Sequence, residues 1–245
     1  MNLPITTPLP PRLFLVRHGE TAWSLTGQHT GRTDLPLTSH GEDQARELAQ
    51  RLQDISFAYV ITSPLQRARQ TCELAGLGAR AEIETDLAEW DYGDYEGQRS
   101  VDICKLRADW NIFLDGCPGG EKPEQVASRA DRLIVRLRTL EGNVAIFSHG
   151  QFGRVLAARW IGAQLIEAQH LSLGTASLSI LAHDAHHPKV AVIALWNAAA
   201  RDTFGPTLVR RAADASPMKM RAFERWENEG GEIKDQDRSR PAEEK

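Results

Sequence analysis

Three short apolar runs constrain this chain most: Leu13–Val16, Tyr59–Ile61 and Val144–Phe147, each followed at once by polar or glycine residues. Such runs lack the alternation of a half-exposed strand, as parallel strands do when helices cover both faces. Helical patterns fall between them. Gly41–Gln53 follows Thr38-Ser39, two residues able to cap a helix, and Ser63-Pro64 offers a cap and a first-turn proline before Leu65–Leu74. Pro123–Leu140 places Val126, Ala130, Leu133, Ile134, Leu137 and Leu140 on one stripe. Arg129, Arg132, Arg136 and Arg138 then read as its solvated face. A further helix is expected from Gly150 to Trp160. Ala176–Ala182 and Val190–Trp196 read as a closing hairpin around His183–Pro188. Strands alternating with helices predict an α/β fold, a three-layer α/β/α sandwich around a mostly parallel central sheet.

Composition narrows the function classes. With 41% hydrophobic residues in 245, the chain can bury a full core, and its net charge of -4 points to neither nucleic acid nor an anionic membrane. The longest apolar run, Val190–Trp196, falls far short of the ~20 residues that span a bilayer. The proline-broken start has no basic region of the secretory kind. Cys72, Cys104 and Cys117 show no C-x-x-C spacing, which suits thiols in a reducing cytoplasm rather than disulfides or zinc. The expected organisation is a flexible arm over 1–11, one domain over 12–200 and a charged tail over 201–245. In the tail, Ser216-Pro217 could cap a short helix around Met218–Trp226, with disorder beyond. A homo-oligomer is compatible with all of this.

The chemistry concentrates at strand-to-helix junctions. Arg17-His18-Gly19-Glu20-Thr21 follows the first strand, and Ser148-His149-Gly150 follows another. Ligands of open α/β sheets bind at these carboxyl ends. Neighbouring parallel strands would set His18 beside His149. Ser63–Thr71 adds a helix start with Arg67 in its first turns. Two arginines, two histidines and a helix start suit a dianion, with phosphoryl the natural candidate. Taken singly, each piece has a bland reading: chance for R-H-G, a core histidine capping a helix for S-H-G. Their combination is specific. His183, Asp184, His186 and His187 could suggest a metal, but no carboxylate–histidine constellation elsewhere supports one.

With LVRHGETAWSLTGQHTGRTDLPLT, SPLQRARQT, LAEWDYGDYEG, GGE and SHG in this order, the chain resembles the histidine phosphatase superfamily, whose fold is phosphoglycerate mutase-like. The resemblance implies His18 as a nucleophile forming a phosphohistidine, neutral, with its other nitrogen donating to a nearby carbonyl. It implies Arg17, Arg67 and His149 as the cage around the phosphoryl oxygens. Glu89 matches the acid that protonates the leaving oxygen and then activates water. Thr30, Gly31 and Tyr92 match substrate-touching positions, while Ser24 stands where many relatives carry Asn. Glu20 and Trp23 are expected to orient the loop, and Arg69 to lie on the surface. No cofactor or metal is implied. Glu89 to Gly119 spans only 30 residues, short for the lid of a mutase. The stretches EWDYGDYEG and WNIFLDGCPGGE are similar to the sugar-bisphosphatase branch, which implies Arg154 and His186 at the distal part of the substrate. The expectation is therefore a phosphatase of small phosphorylated metabolites, sugar (bis)phosphates among them. A cofactor-dependent phosphoglycerate mutase and a non-catalytic interaction protein on this scaffold are the alternatives.

Overall fold

The computed structural model describes residues 10–199. Most of the N-terminal arm and the whole 201–245 tail, with the helix expected around Met218–Trp226, lie outside them. In chain order the elements are β1 (Arg12–Arg17), α1 (Ala22–Thr26), α2 (Ser39–Leu52), β2 (Tyr59–Thr62), α3 (Gln66–Leu74), β3 (Ala81–Ile83), α4 (Ser100–Leu106), α5 (Ile112–Asp115), α6 (Pro123–Leu137), β4 (Asn143–Ser148), α7 (Gly150–Trp160), β5 (Leu178–His183) and β6 (Ala191–Ala198). The six strands form one sheet in the order β3-β2-β4-β1-β5-β6. β3, β2, β4 and β1 run parallel, and β5 and β6 are antiparallel additions.

The unalternating runs are unalternating because both faces are covered: Leu13, Phe14, Leu15 and Val16 are all buried. Leu13, Leu15, Val144 and Ile146 join one cluster with the apolar sides of α6 and α7. Phe14 points the other way and meets Phe57 edge-on at 5.2 Å. The chain moves one way across the sheet through α2 and α3 and back through α6. Right-handed crossovers therefore put the first two helices on one face and the third on the other. Among the described residues no helix is long and apolar enough to cross a membrane.

β3, α1, α4 and α5 add to the expected elements; segments of three to seven residues leave no period to detect. Two expectations need correction. Ser63 does not cap α3, whose N-cap is Leu65 with no side-chain bond; Asp34 instead accepts the Gln66 N–H at 2.8 Å. Arg129 is not on the solvated face: its side chain is only 11% exposed and pairs with Glu121. Arg132 does reach outward, pairing with Asp86.

Candidate active site

The place of His18 follows from strand register. Arg17 of β1 sits opposite Ser148 of β4, so the next residues, His18 and His149, emerge side by side with ring centroids 5.2 Å apart. The turn after β1 is held by backbone: His18 N–H donates to Ser148 O, and Ala176 N–H donates to His18 O, both at 3.0 Å. Gly19 is required by close approach, since a Cβ there would lie 2.4 Å from the carbonyl oxygen of Gly41. His18 Nδ1 stands 2.7 Å from Gly19 O. A carbonyl only accepts, so Nδ1 carries the proton and Nε2 keeps a lone pair. Burial, then the charges of Arg67 and Arg17, hold the His18 imidazole well below its ordinary range, against the Gly19 bond. It is neutral and oriented, as a nucleophile must be.

Arg67 and His149 sit behind it, both fully buried. Arg67 Nε–H donates to His149 Nδ1 at 3.2 Å, so Nε2 carries the His149 proton and meets Ser63 Oγ at 2.7 Å. The remaining Arg67 bonds go to the carbonyls of Thr33, Thr30 and Gly31. Arg67 thus ties down the loop after α1. The cage expected around a phosphoryl group is thereby layered: Arg17 faces the cavity, while Arg67 and His149 stand one layer back. Arg17 donates to Leu173 O through Nη1, and its buried Nε has no partner.

Glu89 comes from an irregular segment after the 3-10 turn Thr85–Leu87. Its Oε1 accepts from Trp90 N–H at 2.9 Å and Phe152 N–H at 2.8 Å, and its Oε2 accepts from Gln151 N–H at 3.0 Å. The carboxylate therefore also caps the N-terminus of α7, a role the sequence did not reveal.

Arg17, His18 and Glu89 line a cavity of about 200 Å³ together with Ser24, Gln28, His29, Thr30, Tyr92, Gln151, Arg154 and Leu173. Of the positions expected to touch substrate, Thr30, Tyr92 and Arg154 line it. Arg154 also donates to Ala168 O, Gln169 O and Gln151 Oε1, which fixes its guanidinium at the rim. Gly31 does not line it, because its N–H is taken by the Glu96 carboxylate and its Cα faces Trp90 O. His186 is at the wrong end of the sheet. β5 runs antiparallel to β1, with Leu178 opposite Val16 and Leu181 opposite Leu13. The β5–β6 loop therefore leaves the edge where β1 begins, a strand length of about 20 Å from His18. Ser24 lines the cavity, but its hydroxyl is committed to the α1 cap through Thr21. His29 was missed. It stacks on Tyr92 at 4.5 Å, and burial pulls its imidazole down to about 4 against the raising pull of Glu96. Its place between Gln28 and Thr30, inside a motif-rich loop, was the available signal. Among the described residues no group of three or more His, Cys, Asp or Glu side chains could hold a metal ion.

Residues 13–197 match the histidine phosphatase superfamily (branch 1). An acid phosphatase of Mycobacterium tuberculosis is 40% identical over 188 residues, covering 75% of this chain and 92% of that protein. The sedoheptulose 1,7-bisphosphatase of Saccharomyces cerevisiae is 39% identical over 186 residues, covering 63% of this chain and 69% of that protein. A solved structure of the α-ribazole phosphatase from Shigella flexneri superposes with a TM-score of 0.67 at 30% identity, covering 76% of this chain and 96% of that one. With a mostly parallel sheet, the paired histidines and a family match over residues 13–197, the chain belongs to the histidine phosphatase superfamily, and its relatives include named phosphatases.

Proposed function

We propose that the protein hydrolyses phosphomonoesters of small metabolites through a phosphohistidine on His18. The observation that carries this is His18 Nε2, kept unprotonated by the Nδ1–Gly19 bond and facing a cavity shared with Glu89 and Arg17. Nε2 attacks phosphorus, and the bond from phosphorus to the ester oxygen breaks as Glu89 delivers its proton to that oxygen. The alcohol leaves. The Glu89 carboxylate then takes a proton from a water that attacks the phosphohistidine, inorganic phosphate departs, and His18 is free again. Arg17, with its unpartnered Nε, neutralises the phosphoryl oxygens, and Arg67 adds charge from behind.

Sugar phosphates, bisphosphates in particular, are the substrate class we favour. Arg154 lies on the cavity wall one and a half helical turns past His149, where a second anionic group could meet it. The yeast relative's name supports that assignment. A phosphate-release screen over sugar mono- and bisphosphates tests it. The same screen includes 3-phosphoglycerate with a trace of 2,3-bisphosphoglycerate. Free phosphate is expected; 2-phosphoglycerate without phosphate release would make the protein a mutase.

A further inference from the structure

The segment that presents Glu89 belongs to no strand or α-helix, so its backbone carbonyls have no ladder to bond them. Side chains supply the bonds instead. Arg129 Nη1 donates to Asp86 O and Ala88 O, each at 2.7 Å, and its Nη2 reaches Glu89 O at 3.4 Å. Ser148 Oγ donates to Leu87 O at 2.8 Å. Four consecutive carbonyls, 86 to 89, are thus held by two side chains. The other Arg129 donors grip Glu121 bidentately, Nε to Oε1 at 3.1 Å and Nη2 to Oε2 at 3.0 Å. All five guanidinium N–H groups are used.

Glu121 extends the grip to the far side of Glu89. Its Oε2 accepts from Asp91 N–H, and its carbonyl accepts from the indole N–H of Trp90. The Arg129 guanidinium lies 4.4 Å over the Phe152 ring, and Phe152 N–H donates to Glu89 Oε1. One largely buried cation therefore touches the backbone of Glu89, the segment before it, the acid that anchors the segment after it, and the residue that orients its carboxylate.

We infer that Arg129, with Glu121, is the positioning pair for Glu89, setting where its carboxyl meets the leaving oxygen. A lysine cannot replace the fork: it offers three donors on a point charge where five in a plane are used. A displacement of about 1 Å in a catalytic group costs about 100-fold in rate. The inference rests on the reading of Glu89 as general acid.

The test compares kcat/KM for glycerol 3-phosphate, whose alkoxide needs a proton, with kcat/KM for p-nitrophenyl phosphate, whose nitrophenolate does not. Both report the step up to departure of the first product. Arg129→Lys, which keeps a cation over Phe152, is expected to lower the first value about 10–100-fold and the second less than about threefold. Glu121→Gln, which leaves the carbonyl contacts in place, is expected to shift the same ratio in the same direction by less. In a Glu89→Gln background Arg129→Lys is expected to add little, because the group it positions is already gone. If Glu89→Gln is selective but Arg129→Lys harms both substrates alike, or if the two losses multiply in the double variant, the positioning role is overturned. If Glu89→Gln itself is unselective, the acid assignment fails first, and the inference with it.

Discussion

The two halves of the site are held in different ways. His18 and His149 stand at the ends of adjacent parallel strands, and ladder hydrogen bonds fix their separation. Glu89 stands on an irregular segment held by side chains from α6, from β4 and from the loop around Glu121. A backbone-held group is insensitive to most substitutions around it, whereas a side-chain-held group depends on each of its anchors. The nucleophile half should therefore break only at the reacting residues, and the acid half at a distance as well.

The largest effect is expected at His18, the nucleophile we propose. His18→Ala should remove hydrolysis by a factor on the order of 10⁶, the scale seen when a covalent nucleophile is deleted, together with any acid-labile phosphoenzyme. Chelators should leave the wild-type rate intact, since the phosphoryl charge is met by Arg17 and Arg67. Persistence of the phosphoenzyme in His18→Ala, or a strict magnesium requirement, would refute this mechanism.

Next comes the acid. Glu89→Gln should lower kcat/KM for an alkyl phosphate by about 10²–10⁴-fold and spare p-nitrophenyl phosphate. Because Glu89 also caps α7, the same variant turns an amide NH2 toward backbone N–H groups. A loss of about 1–2 kcal/mol in unfolding free energy is expected beside the kinetic one. Unchanged stability would show that the α7 cap is redundant.

Arg154 probes the rim that both halves share. Arg154→Ala should raise KM for a sugar bisphosphate about 10-fold or more, the worth of a hydrogen bond to a charged group, and leave p-nitrophenyl phosphate nearly unchanged. Equal losses on both substrates would make Arg154 a brace for the turn at Ala168–Gln169 rather than a substrate contact.

The smallest effect is electrostatic. His18, His149 and His29 are all held below their ordinary range, with burial the first cause in each. As pH falls below about 6.5 the unfolded chain takes up protons that these folded imidazoles refuse, so stability declines with acidification. For His29 that window runs from about 6.5 down to about 4. His29→Phe, which keeps the stack on Tyr92, should flatten the decline by at most about 1.4 kcal/mol per pH unit between pH 6 and 5. Identical urea midpoints against pH for both proteins would show that His29 titrates normally.

Legibility in the sequence divides along the same line. The nucleophile half is local: an apolar run, then Arg17-His18-Gly19, with the partner histidine at the equivalent point of another run. Contiguous residues carry that information, and strand pairing only juxtaposes it. α7 was legible to the residue, Gly150 to Trp160, for the same reason. The acid half is not local. Helical periodicity gives an angle around α6, and Arg129 lies at the edge of the stripe, beside Ala130 and one turn past Val126. Only the arrival of three carbonyls and Glu121 from elsewhere makes that edge an interior. Arg67 is a similar case: the sequence placed it near the anion, but the loop carbonyls that consume its donors come from residues 30–33.

What the sequence determined by itself, then, is the longer elements and the chemistry borne at the ends of β1 and β4, because short-range patterns of burial and glycine placement decide both. What only the tertiary structure decided is direction and satisfaction. An apolar run reports that a strand is buried, not which way it runs. The antiparallel course of β5 therefore carried His186 to the far edge of the sheet. Likewise a cation in the sequence reports charge, not partners. The acceptors that let Arg129 leave solvent are assembled by the fold, whereas Arg17 keeps its buried Nε without a partner.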